Sequence, residues 1–213
     1  ESLPEALQEF GGPVYLLAWT TTPWTLPSNT ALTVGPGIEY ALVETYNLYT
    51  HQRIQVILAK DLVGQQFDHR FAAVEEGQDL PGFSQQDKKV PYRLLGTFKG
   101  SELIGIRYHQ LLDYALPYEG AENAFRVIGG DFVTTEDGTG IVHTAPTFGA
   151  DDMKVAQAAS PPVPPMLVLD ENGNAVPLVD LQGRFRPEMK ELAGKYVKNE
   201  YYASDEVPER SVD

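Results

Sequence analysis

The chain has 213 residues, 42% hydrophobic and 22% charged, which are globular values and enough to bury a sizeable core. Its formal charge of -14, from thirty acidic side chains against sixteen basic ones, runs against any grip on phosphate backbones through clustered Lys and Arg. The absence of cysteine excludes disulfides and thiolate-bound metals and suits a reducing cytoplasm.

Nineteen glycines and sixteen prolines favour strands joined by turns over a helix bundle. No apolar run approaches the roughly 20 residues of a membrane span, so no membrane is expected. The first residues lack the basic start and apolar stretch of a signal peptide, and with no methionine at the start the chain reads as a piece excised from something larger. Residues 5–10 predict a short helix or linker, and residues 14–19 (VYLLAW) a buried strand. Thr20-Thr21-Thr22-Pro23-Trp24-Thr25-Leu26-Pro27 must be a loop, since two close prolines fit neither a central strand nor a helix interior. Strands follow at 30–34, 40–45 and 53–59, a short helix at 60–66, a strand at 71–74, an exposed loop at 77–89 and a strand at 92–99. Residues 125–128 and 131–135 predict strands before the turn Glu136-Asp137-Gly138-Thr139-Gly140, and residues 141–145 another after it. A helix is expected at 150–159, an extended connector at 161–165, a hairpin around Asn172-Gly173 and a last helix at 186–197. The expected class is mixed α/β and strand-rich, with a β-barrel-like core, short peripheral helices and one main core, all in a single domain of residues 1–213.

Three stretches carry candidate chemistry. The hydroxyls of Thr20, Thr21 and Thr22 either bind a polar substrate and position water, or satisfy local backbone. Gly138-Thr139-Gly140 allows close backbone approach to a ligand, and the strand after it delivers His143, a functional imidazole or a satisfied structural one. Asp151 and Asp152 sit where a helix starts, which makes them caps, or makes one of them a carboxylate for an ammonium group. There is no phosphate loop ending in Lys-Ser/Thr, no Gly-x-Ser-x-Gly elbow and no zinc-protease spacing, so neither a metal nor a cofactor is expected.

Taken together, Trp19-Thr20-Thr21-Thr22-Pro23-Trp24-Thr25-Leu26-Pro27-Ser28-Asn29, Gly138-Thr139-Gly140-Ile141-Val142-His143-Thr144-Ala145-Pro146 and Phe148-Gly149-Ala150-Asp151-Asp152 resemble the inserted editing (CP1) domain of isoleucyl-tRNA synthetases. Shorter pieces at residues 100–103, 166–170 and 194–197 extend the likeness along nearly the whole chain. Valyl and leucyl relatives carry Thr-Thr-Arg-Pro where this chain reads Thr-Thr-Pro-Trp. The His-Ile-Gly-His and Lys-Met-Ser-Lys-Ser signatures of a class I synthetase core are absent from the sequence. The resemblance implies a hydrolase that removes valine from tRNA for isoleucine, without synthetase activity of its own. Asp152 would bind the α-ammonium, His143 would form the wall against isoleucine, and Thr20, Thr21 and Thr22 would hold the amino acid or the attacking water. Trp24, Gly138, Thr139 and Gly140 would cradle the valyl group and the terminal adenosine. The implied partners are the 3′ end of valine-bearing tRNA and the rest of a parent synthetase, where the ATP, isoleucine and zinc sites would lie; the fragment itself is expected to be monomeric. An editing domain of valyl or leucyl type, or a non-catalytic module binding the tRNA end or an amino acid, remains the alternative.

Overall fold

The computed structural model describes residues 13–75 and 77–208, so the segment expected at 5–10 lies outside the described residues. The chain divides into two compact units, one of Glu1–Trp19, Thr33–Ile106 and Gly129–Val142, the other of Thr20–Leu32, Arg107–Ile128 and His143–Asp213.

Period-two alternation builds the main sheet of the first unit. In β3 (Glu39–Tyr46), Ala41 and Val43 pair across the antiparallel ladder with Leu58 and Val56 of β4 (Arg53–Ala59). Ile54, Phe67, Phe71 and Tyr92 pack against the same face. On the other face, Glu44 is 1% exposed and held by two arginines, Arg53 at 2.7 Å and Arg93 at 2.6 Å. Burial alone would raise that carboxyl's pKa, but the two guanidiniums together hold it below the usual range. The sheet continues through β6 (Val90–Lys99), with a register shift at Leu42/Val43, to the short β5 (Phe71–Ala73). The short β1 (Val14–Leu16) adds in parallel at the opposite edge of β4.

This order, β1-β4-β3-β6-β5, leaves two edge strands and does not close into the expected barrel. The strand-rich mixed α/β class is as expected. The strand predicted to be buried at 14–19 is shorter and more open, because among the described residues β1 pairs on one side only, with Tyr15 48% exposed. A short turn and helix, Lys60–Leu62 and α1 (Val63–Gln66), follow β4 as expected.

A three-stranded sheet runs in the order β7 (Arg126–Gly129), β2 (Ala31–Val34), β8 (Ile141–Thr144), and the chain passes from one unit to the other within each of these strands. The strand expected at 131–135 is absent; that segment forms turns and bends instead, with Asp131 and Phe132 exposed.

In the second unit, α2 (Ala150–Ala158) buries Ala156 beside Ala31, Ile128 and Val163, and ends before Ser160-Pro161. Buried Arg126 holds the chain beyond it, donating to the carbonyls of Ser160 and Pro161. The hairpin forms from β9 (Leu167–Leu169) and β10 (Ala175–Pro177). Its apolar side joins a cluster of Ala124, Phe125, Met166, Val168, Leu178, Val179, Phe185, Met189 and Val197. Among the described residues, this cluster is distinct from the one that packs on β3 and β4 of the first unit. The last expected helix is only a 3-10 turn, Pro187–Leu192, broken at Lys190 (φ 49°). Pro187 starts it well, but the following backbone is drawn into pairing with Phe185 and Gly183, and those bonds win over helix continuation.

Candidate active site

Of the residues expected to form the site, Thr20, Thr21, Thr22, Trp24, His143 and Asp152 fall in the second unit, and Gly138, Thr139 and Gly140 in the first. Pro23 suits the first position of a tight helical turn, and Pro23–Ser28 forms a 3-10 turn with Thr22 as its N-cap. Within that turn Thr25 points inward. Its hydroxyl donates to the Thr22 carbonyl at 2.8 Å and lies 2.9 Å from His143 Nε2. Outward, Thr22 and Thr20 extend the hydroxyl series: the Thr22 amide donates to Thr20 Oγ1 at 3.1 Å, and Thr22 Oγ1 is 3.4 Å from Thr25 Oγ1. Thr21 and Thr22 are exposed, while Thr25 is buried.

His143 arrives at the end of β8 and is 6% exposed. Asn29 Nδ2 donates to its Nδ1 at 2.8 Å, and the same amide group donates to the Ala31 carbonyl at 2.8 Å. Tyr108 fixes the amide from the other end, its hydroxyl donating to Asn29 Oδ1 at 2.5 Å. An amide N–H at Nδ1 requires a lone pair there, so the proton sits on Nε2 and is donated to Thr25. The imidazole is thereby neutral and bonded at both nitrogens. Burial pushes its pKa down to about 4. It can shape a wall, but at neutral pH it carries no spare proton or lone pair for acid–base work.

Asp152, in the first turn of α2, turns back to accept the Ala145 amide at 2.8 Å, two residues beyond His143. It is half-buried, and its pKa is raised by that burial, partly offset by the Ala145 amide and reinforced by Asp151. Gly149 makes room for it, because a Cβ there would stand 2.9 Å from Asp152 Cγ. Asp151 faces solvent. Trp24 meets Phe148 edge-on at 4.9 Å, which holds the threonine turn against the turn that leads into α2. The two motifs, 118 residues apart between Thr25 and His143, thus meet in one unit.

Gly138, Thr139 and Gly140 lie in the first unit, and there their space is taken by the chain itself. Gly138 (φ 74°) lies under the Trp19 indole, and Gly140 (φ 73°) against Ala59, where a Cβ would come within 2.4 Å of the Ala59 Cβ. Thr139 is buried, and its carbonyl accepts the Ala59 amide at 2.8 Å. Thr25, Asn29 and Tyr108 were not singled out from the sequence. Thr25 and Asn29 sit inside the quoted motif and were within reach; nothing local marks Tyr108. Among the described residues no group of three or more His, Cys, Asp or Glu is placed to hold a metal ion, and no helix is long and apolar enough to cross a membrane.

No family model matches the chain. Among curated proteins it is 50% identical over 202 residues to the isoleucine--tRNA ligase of Cytophaga hutchinsonii, covering 95% of this chain and 17% of that protein. The corresponding ligase of Bacteroides fragilis is 49% identical over 93% of the chain and 18% of its own length. That of Porphyromonas gingivalis is 45% identical over 99% and 19%. The chain therefore spans less than a fifth of the length of these relatives. Solved structures with partial likeness include the cytosolic leucyl-tRNA synthetase editing domains of P. falciparum, at TM-score 0.46 and 15% identity over 66% of this chain and 44% of that one, and of P. knowlesi, at 0.45 and 17% over 67% and 49%. With half its residues identical across nearly its full length, the chain belongs to the isoleucine--tRNA ligase family.

Proposed function

We propose that the chain is the editing domain of such a ligase and hydrolyses valine from tRNA charged in error, acting with the rest of its parent synthetase in the cytoplasm. One observation carries the reading: a half-buried carboxylate, Asp152, is anchored through its Oδ2 at the strand end that presents His143, in the unit that also holds the threonine turn. A carboxylate whose charge is disfavoured by burial gains most from an ammonium partner, and the α-amine of an aminoacyl ester supplies one. Valine and isoleucine differ by one methylene, worth only about 1–3 kcal/mol in a hydrophobic pocket, a magnitude known from isoleucyl synthetases themselves. A second site that rejects the larger side chain by shape adds what binding alone cannot.

On this reading the buried face of His143 belongs to that wall, and the hydroxyls of half-buried Thr20 and of exposed Thr21 and Thr22 hold the ester or its attacking water. No covalent nucleophile is required, since positioning water on an activated ester supplies much of the rate. The test is hydrolysis of Val-tRNA for isoleucine by this chain, as a monomer, with Ile-tRNA as control. Selective loss of valine is expected. Asp152→Asn, which keeps the shape but not the charge, should slow it about 30-fold or more. Equal cleavage of both esters would remove the size-excluding wall, and undiminished cleavage by the variant would remove Asp152 from the site.

A further inference from the structure

We infer that Tyr108 is a positioning residue for the choice between valine and isoleucine: through Asn29 it fixes the imidazole that forms the size-excluding wall. The inference rests on the proposed editing function. Tyr108, Asn29, His143, Thr25 and Thr22 all belong to the second unit. The phenol has one proton and Asn29 Oδ1 can only accept, so Tyr108 donates, at 2.5 Å. Asn29 Nδ2 turns its two protons to His143 Nδ1 and the Ala31 carbonyl, both at 2.8 Å. His143 Nε2 then donates to Thr25, and Thr25 to the Thr22 carbonyl. Four hydrogen bonds thus point one way, from the phenol to the backbone of the threonine turn. A half-turn of the Asn29 amide would aim its oxygen at Nδ1 and at the Ala31 carbonyl, forcing the ring proton onto Nδ1 and reversing the order. The Ala31 carbonyl opposes that turn at one end of the amide and the Tyr108 hydroxyl at the other.

Tyr108 lies in a segment without regular structure, yet several contacts hold it. Its amide donates to the Phe125 carbonyl at 3.0 Å, and neighbouring Arg107 bridges in antiparallel fashion to Arg126 of β7. Its ring meets that of Phe125 edge-on, with centroids 6.3 Å apart. Phe125 in turn donates its amide to the Thr30 carbonyl at 2.7 Å, beside Asn29. The contacts close a circuit, from Tyr108 to Phe125, from Phe125 to Thr30, and back through Asn29 to the Tyr108 hydroxyl. At φ 57° Phe125 occupies the left-handed region, where a bulky side chain is costly and persists only if its surroundings dictate it. The strained residue is thus the one that seats Tyr108 against the segment carrying Asn29. Phenylalanine at 108 would pack its ring equally well; only the hydroxyl reaches the amide. That hydroxyl therefore serves the arrangement of His143 rather than the packing.

The experiment uses the 213-residue chain as wild type, Tyr108→Phe and Val56→Ala, the last a buried truncation in the first unit that controls for lost stability. Each is assayed for hydrolysis of Val-tRNA and Ile-tRNA, and the imidazole nitrogens of His143 are followed by NMR. Tyr108→Phe should narrow the preference for the valyl ester about 10-fold, mainly by faster loss of isoleucine. It should also move the Nδ1 resonance, because the bond from Asn29 is loosened. Val56→Ala should change neither. Either readout left unmoved in Tyr108→Phe overturns the positioning role and leaves the editing reading intact. Equal effects in both variants would mean general loosening and equally overturn it. A wild type that cleaves neither ester, or both alike, overturns the editing reading and the positioning role with it.

Discussion

At the residue scale, His143 shows how a neutral histidine can be fixed in a single proton arrangement. Asn29 donates into Nδ1, and Thr25 is positioned to accept from Nε2 because its own proton goes to the Thr22 carbonyl. Folding lowers the ring's pKa from 6.5 to about 4. The native state therefore resists a proton that the unfolded chain accepts, so this contribution is complete above pH 6.5 and is lost as pH falls towards 4. Up to about 3 kcal/mol of stability is at stake. Urea unfolding between pH 4 and 7 should show a rise in stability with pH that is smaller in His143→Gln; identical slopes would disprove the assignment. Gly149 poses a different test. A methyl group there collides with Asp152, so Gly149→Ala should raise KM for the proposed Val-tRNA deacylation several-fold while the fold survives, since its φ of -110° is open to alanine. An unchanged KM would mean that the carboxylate's position does not matter.

At the scale of elements, the threonine turn is set by what surrounds it rather than by its own propensity. Pro23 starts the 3-10 turn, but Thr25 bonding to β8, Trp24 against Phe148 and Asn29 bridging to Ala31 decide where it sits. Tyr108, from a segment without regular structure, completes that set, and burial raises its pKa far above the usual tyrosine value. Tyr108→Phe leaves the Asn29 carbonyl buried without this donor and should cost about 1–3 kcal/mol in denaturant unfolding. A neutral result would mean that the amide is held by its other bonds alone. The same logic explains the truncated helix at Pro187–Leu192, where pairing with Phe185 and Gly183 overrides a sequence of reasonable helical composition.

At the scale of the whole molecule, the charge of -14 bears on how the RNA substrate of the proposed function would be met. A protein that neutralises phosphates loses affinity steeply as salt rises, because bound counterions are released on association. On the proposed editing reading, the dominant long-range force between this acidic chain and tRNA is repulsion, which salt screens. KM for the proposed Val-tRNA deacylation should therefore hold steady or fall between 50 and 200 mM NaCl; a steep rise would reveal a basic RNA-binding surface that the composition does not suggest.

Residue order alone specifies the strand-rich class, the positions of most strands, the helix at Ala150–Ala158 and the hairpin turn at Asn172-Gly173, because alternation, prolines and turn residues act locally. It also marked Thr20, Thr21, Thr22, His143 and Asp152 as a set, through motif likeness. Long-range packing settles that β1 and β5 are the edges of their sheet among the described residues, that His143 is bonded at both nitrogens, and that the space at Gly138 and Gly140 is filled by Trp19 and Ala59. Each of those outcomes depends on which distant side chain fills a given space, and that is settled by packing and hydrogen-bond satisfaction across the fold, not by residue order.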